Sequence, residues 1–142
     1  MREILFRGKR KDNGEWVYGQ VIVDNNKVCS IYTHSQDIFG NIDSGLRYIY
    51  GSTIGQYIGI KDKNGVNIFE GDILRIAIIK DSDDEIEYKF GSVEFSTRSL
   101  EYLIRTKEGL VCGFGVILNG AGFYEFELEV IGNIYDNKSL LE

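Results

Sequence analysis

The chain has 142 residues, a formal net charge of −6, 43% apolar and 27% charged residues, the balance of one globular domain or of two very small ones sharing a core. No run of about 18 consecutive apolar residues offers a membrane-spanning helix, and the opening Met-Arg-Glu-Ile-Leu-Phe-Arg-Gly-Lys-Arg lacks the apolar stretch of a signal peptide, so a cytoplasmic protein is expected. Residues 1–12 set Arg2, Arg7, Lys9, Arg10 and Lys11 against Glu3 and Asp12, giving +3 and leaving −9 on the other 130, an acidic body that argues against broad charge-driven nucleic-acid binding.

Proline is absent and glycine occurs 17 times, so turns must be built from Gly, Asn, Asp and Ser, which reach positive φ or cap locally. Nine tyrosines and eight phenylalanines suit pleated sheet. In chain order, a first strand is expected over 3–7, followed by the hairpin signal Asp12-Asn13-Gly14. Residues 16–24 alternate, with Val17, Val21 and Val23 on one face and Trp16, Tyr18 and Ile22 on the other. Asn25-Asn26 reads as a turn and 27–33 as its partner strand. Residues 34–46 lose the pattern and read as a loop with room for one helical turn.

Apolar and aromatic strands return over 47–50 and 53–60. Asn64-Gly65 closes a second tight turn into 66–69. Glu70-Gly71-Asp72 then breaks the pairing before 73–80, which carries bulky residues on both faces, the mark of a buried strand. Residues 81–85 form an acidic loop, and strands follow over 87–95 and 102–106, joined at 96–99 by a turn or short helix. The last strands are expected over 114–118 and 123–135, with Gly120, Gly122 and Gly132 as bends or bulges. No segment of ten or more residues shows a 3.6-residue apolar stripe. The fold class is all-β, built from short antiparallel strands in a barrel or sandwich. The best domain boundary lies near residues 50–55.

Three stretches carry a resemblance. The first is Phe6-Arg7-Gly8-Lys9-Arg10 with Asn13-Gly14-Glu15-Trp16-Val17-Tyr18-Gly19 behind it. The second runs Thr53-Ile54-Gly55-Gln56-Tyr57-Ile58-Gly59-Ile60-Lys61-Asp62-Lys63-Asn64-Gly65, then Ile68-Phe69-Glu70-Gly71-Asp72; the third is Glu129-Val130-Ile131-Gly132-Asn133-Ile134-Tyr135-Asp136-Asn137. Together, and in this order, they resemble the YopX family of phage and prophage proteins. The resemblance implies a β-rich protein from a mobile element whose C-terminal part is similar to an SH3-like barrel; with the boundary at Gly51-Ser52 the chain reads as an N-terminal β subdomain over 1–52 and the SH3-like region over 53–142, or as one compact unit. It implies no activity, because the family is of unknown function. The chain departs from the family in having Gly51 and Lys138 where proline is frequent, and Ile58 where threonine is frequent.

Motifs of catalysis and cofactor binding fail one after another. Asp81-Ser82-Asp83-Asp84-Glu85 starts like a calcium loop, but the positions that need Gly and a bidentate Glu hold Ile86 and Ser92. Gly113-Phe114-Gly115 lacks the third glycine of a dinucleotide fingerprint, and Ala121-Gly122 replaces the Lys-Ser/Thr pair of a phosphate loop. Cys29 and Cys112 lack metal spacing and read as small buried or half-buried thiols. His34 stands five residues from Cys29, on the opposite strand face, and reads as a surface or loop residue. Asp72 is expected to bond backbone amides in its own turn.

No catalytic, metal or cofactor site is therefore assigned and no cofactor is expected. The leading reading is a non-catalytic accessory module that binds a host or phage protein through exposed β edges or the 34–46 loop. A homo-oligomer is compatible with it, and no membrane partner is expected. The rival is a nucleic-acid accessory using Arg7, Lys9, Arg10, Lys11 and Trp16, where cations interleave with aromatics that could track phosphates and stack bases; Trp16 would otherwise be a core residue. A small hydrolase with an unmarked carboxylate pair is the third class.

Overall fold

The computed structural model describes residues 1–80, 85–109, 111–119 and 124–142. The chain divides into two compact units, Met1–Gly59 and Ile60–Glu142, and it is mostly strand, with antiparallel pairing throughout. No helix of the described residues is long and apolar enough to cross a membrane.

The first unit holds β1 (Phe6–Lys9), β2 (Trp16–Asp24), β3 (Lys27–Gln36), β4 (Ile42–Tyr48) and the start of β5 (Gly55–Lys61), in the order β4-β3-β2-β1-β5. The Asn25-Asn26 turn has φ of 47° and 61°, the double left-handed signature of a type I′ hairpin that asparagine tolerates. At Asp12-Asn13-Gly14 only Gly14 is left-handed, at φ 72°. The loop there is wider, with the Gly14 amide donating to the Arg10 carbonyl and the Arg10 amide to that of Glu15.

The loop expected over 34–46 is a correction. β3 runs to Gln36 and β4 begins at Ile42, paired from Ser30↔Tyr48 to Gln36↔Ile42. The connection is a short turn organised by Asp37, whose carboxylate accepts from the amides of Phe39 and Asn41, each at 2.9 Å. Beyond β4, Arg10 bridges Ile49: the Lys11 amide donates to the Tyr48 carbonyl and the Tyr50 amide to the Lys9 carbonyl, both at 2.9 Å. The ends of the first and fourth strands thus meet, and the sheet curls around Ile31 and Ile49, both fully buried.

The second unit contains β6 (Asn67–Phe69), β7 (Asp72–Lys80), β8 (Ile86–Ser96), β9 (Glu101–Thr106), β10 (Val111–Gly113), α1 (Phe114–Asn119) and β11 (Tyr124–Asn133). Its main sheet has the order β10-β9-β8-β7-β11. β7 lies between β8 and β11 and buries Ile73, Leu74, Ile76 and Ala77 on both faces, as its two-faced sequence requires. A register shift between Val130 and Gly132 marks the bulge in β11. The Asp72 carboxylate is buried and accepts from the Phe69 amide at 2.8 Å, the turn-bonding role expected of it.

Two expectations fail in this unit. The stretch 114–118 is helical rather than extended, with Phe114 and Ile117, one turn apart, both buried. The expected barrel is also not closed: β10 and β11 are the two edges of an open sheet. The short helix α1 follows β10 directly and touches β9 and β11. Gly120, Gly122 and the acidic stretch 81–84 lie outside the described residues.

Asp62 organises the turn between β5 and β6. Its Oδ1 accepts from the amides of Asn64 at 2.8 Å and Val66 at 2.9 Å, and its Oδ2 from that of Val130 at 2.9 Å. Burial pushes this carboxyl up, but the three amides outweigh it and hold it below the ordinary carboxylate range. Its contribution to stability is therefore present above the unfolded carboxyl pKa and is lost as pH falls through the lower folded value. Asp62→Ala should cost about 2–4 kcal/mol by urea denaturation, and Asp62→Asn should flatten the acid limb of the stability profile. A wild-type acid limb in Asp62→Asn would show that the carboxylate charge is not involved.

Candidate functional site

Strand alternation sorts the curled sheet of the first unit into two faces. Inward are Gly8 on β1, Val17 on β2 and Ile31 on β3, with Ile49 beyond β4. Outward are Tyr18 and Ile22 on β2, Tyr32 and His34 on β3, and Ile42, Ser44, Leu46 and Tyr48 on β4, with Ser30 on the same side of β3 but buried. Tyr32 stands opposite Leu46 on one side and Gln20 on the other, while Ser30 lies between Ile22 and Tyr48. Tyr18, Tyr32, Leu46 and Tyr48 are 48%, 42%, 52% and 68% exposed, so the band is open to solvent. No strand position of this band holds a carboxylate.

The five residues read from the sequence do gather beside that band, but not as a free cationic ribbon. Arg7 and Lys9 point to the outer face, opposite Tyr18 and Trp16 in the register. The Arg7 guanidinium is 4.7 Å from the centroid of the Trp16 ring, the Lys9 ammonium 5.7 Å, a cation–π arrangement. Arg7 is buried at 6% exposure and Trp16 half-buried, so the ring is capped rather than presented and is not a full core residue. The Lys9 amide donates to the Thr53 hydroxyl at 2.9 Å, and that hydroxyl donates to the Tyr50 carbonyl.

Arg10 pairs with Asp12, with Nε donating to Oδ1 at 2.9 Å. This side-chain hydrogen bond raises the Arg10 pKa and holds Asp12 below the usual carboxylate range. Lys11 is exposed. A shallow depression of about 460 Å³ is lined by Arg10, Lys11, Asp12, Leu46, Arg47 and Tyr48, where the band meets the basic turn.

The other groups considered from the sequence lie apart from the band or carry no assembled chemistry. His34 is exposed on β3, in a strand rather than a loop. Cys112 is a free, half-buried thiol whose pKa burial pushes up, away from thiolate reactivity; the Cys29 side chain lies outside the described residues. The buried carboxylates of Asp62 and Asp72 both accept from backbone amides. Among the described residues no group of three or more His, Cys, Asp or Glu side chains is placed to hold a metal ion.

The sequence reading missed the tyrosine band itself. The signal was present as Ile42-x-Ser44-x-Leu46-x-Tyr48, an alternation hidden by reading 34–46 as a loop.

These features define a small antiparallel β protein whose first unit presents an open aromatic face. The chain belongs to the YopX family: the family's profile, described as YopX protein, matches residues 5–142. Among solved structures it is similar to the crystal structure of protein EF1440 from Enterococcus faecalis, with 22% identity, all of both chains covered and a TM-score of 0.57, a likeness of fold. No curated protein matches the chain.

The capped tryptophan yields a prediction. Arg7→Met, which removes a buried cation from the Trp16 ring, should destabilise the protein by more than about 1 kcal/mol and change Trp16 fluorescence, while Lys11→Met stays within about 0.5 kcal/mol. Equal effects of the two changes in thermal melts would show that Arg7 has no special place.

Proposed function

We propose that this protein is a non-catalytic, cytoplasmic accessory module of a phage or prophage, and that it binds a host or phage protein on the outer face of β2–β3–β4. The observation that carries this reading is the exposed band of Tyr18, Ile22, Tyr32, Leu46 and Tyr48 on one sheet face. Aromatic side chains bring large area at low entropic cost and are enriched at the centres of protein interfaces. Contiguous exposed apolar surface on a small domain marks an interaction site. The two buried carboxylates hold backbone amides, and the half-buried Cys112 thiol is pushed away from ionisation, which fits a binding role better than catalysis.

The rival reading, nucleic-acid binding, has Lys9 opposite Trp16 and Lys11 beside Tyr48 in its favour. Against it, Arg10 is matched by Asp12 and the half-buried Trp16 ring is already engaged by two cations, which leaves few charges for phosphates and a ring that a base would have to share with them.

Immobilised protein should retain a defined polypeptide from a nuclease-treated bacterial lysate, and Tyr32→Glu with Tyr48→Glu should abolish capture without lowering the melting temperature. Retention unchanged in that double variant would remove the band from the account. Saturable oligonucleotide binding, weakening with salt at a log–log slope of about −3 to −4 as for some four phosphate contacts, would establish the rival instead.

A further inference from the structure

The turn that joins β3 to β4 is held by its own polar groups. The Asp37 amide donates to the Asn41 carbonyl at 2.9 Å, and the Gly40 amide to the Asp37 carbonyl at 3.1 Å. Asp37 Oδ1 accepts from the Phe39 and Asn41 amides, and its Oδ2 from the Asn41 side-chain amide at 2.8 Å. Gln36 Nε2 donates to the Gly40 carbonyl at 3.2 Å, and Gly40 supplies the left-handed φ of 85°. Between these anchored residues stand Ile38 and Phe39, 93% and 83% exposed. Any residue could supply the Phe39 amide, so neither the turn nor the core calls for two large apolar side chains in solvent.

The apolar surface continues beyond the tip. Ile42, the first residue of β4, is 60% exposed on the outer face, and Leu46 and Tyr48 follow along the same strand. Charge also sets the tip apart. Residues 36–43 contain two carboxylates, Asp37 and Asp43, and no cation. The Asn41 side chain and the neighbouring amides hold Asp37 below the usual carboxylate range, so it is ionised at neutral pH. Asp43 is answered by Arg47, whose Nη2 lies 2.8 Å from its Oδ1.

We propose that Ile38 and Phe39 are an anchor that inserts into an apolar cleft of the protein partner, and that the rim of this cleft is basic. A turn fixed before binding loses little conformational freedom on insertion. Apolar and aromatic anchors seated in pockets carry much of an interface's energy, and basic groups at the rim complement Asp37. A bilayer is the poorer host. Interfacial anchors set Lys or Arg beside their apolar residues, whereas this tip has carboxylates on a chain of net charge −6, which anionic headgroups repel. The inference rests on the partner-binding reading and adds the element that enters the partner.

A benzophenone photo-crosslinking side chain in place of Phe39 tests it, in the full chain incubated with nuclease-treated bacterial lysate. Irradiation should join it to the same polypeptide that the immobilised wild-type protein retains. Ile38→Ser with Phe39→Ser should lower retention of that polypeptide by at least about tenfold, with an unchanged melting temperature because both side chains lie in solvent. Asp37→Asn keeps an acceptor for the turn amides but removes the charge, so retention should weaken less and lose part of its salt sensitivity.

Wild-type retention by the double serine variant, or adducts scattered over unrelated proteins, would overturn the inference and leave the outer-face reading standing. Retention by Asp37→Asn equal to wild type at every salt concentration would overturn the basic rim. Co-sedimentation of the wild type with phosphatidylglycerol vesicles, lost in the double serine variant, would put the tip in a bilayer and overturn the protein cleft. A wild-type protein that retains no polypeptide would remove both this inference and the reading beneath it.

Discussion

The first unit depends on one close approach. At Gly8 the backbone of β1 runs so near the buried Ile49 that an added Cβ would lie 2.7 Å from the Ile49 Cδ1. At Gly19 an added Cβ would lie 2.0 Å from the Tyr32 carbonyl oxygen. These two glycines let a four-strand sheet curl tightly enough to bury Ile31 and Ile49 completely. Such a small interior accepts few side chains, and strand alternation then sends every second residue outward. Tyr18, Tyr32, Leu46 and Tyr48 are outside because Ile31 and Ile49 are inside. The exposed aromatic band is a consequence of the core's register, and the proposed docking face is the side that packing left open.

The second unit solves a different problem. β7 packs on both faces, so its neighbours are committed to covering it, and the polar groups drawn in with it need partners. Asp72 meets the Phe69 amide and Asp62 meets three amides across the β5–β6 turn and β11. The signature around Asp62-Lys63-Asn64-Gly65 and Glu70-Gly71-Asp72, the most specific part of the family resemblance, is therefore explained by turn construction. Gly71 and Gly65 take φ of 82° and 81°, and the aspartates supply the acceptors those turns leave wanting. That explanation moves attention away from the most recognisable motif and toward a face with no motif at all.

Much of the strand content was legible because its physics is local. The limits of β2 were readable to the residue, since Trp16 to Asp24 alternate between a valine face and an aromatic one. The turns at Asn25-Asn26 and Asn64-Gly65 follow from the backbone preferences of those residues. The 34–46 segment was not legible as a hairpin, because Gln36 to Ser44 is exposed almost throughout and shows no buried alternation. Residues 114–118 misled for the opposite reason: a short apolar run looks alike as a buried strand or as one face of a helix, and the open sheet resolved it as α1. The basic residues at the N-terminus were correctly located together. What the sequence could not show was that Arg7 is folded onto Trp16 and that Asp12 answers Arg10, because both are matters of side-chain placement across a sheet register.

The central claim is that the outer face of β2–β3–β4 is where a protein partner docks. Hydroxyl-radical footprinting of the free protein, compared with the same protein bound to its captured partner, measures this directly. The account predicts that oxidation of Tyr18, Tyr32, Leu46 and Tyr48 falls on binding while that of the exposed Tyr88 and Phe95 of the second unit stays unchanged. Protection confined to the second unit, with those four residues as reactive as before, would contradict it.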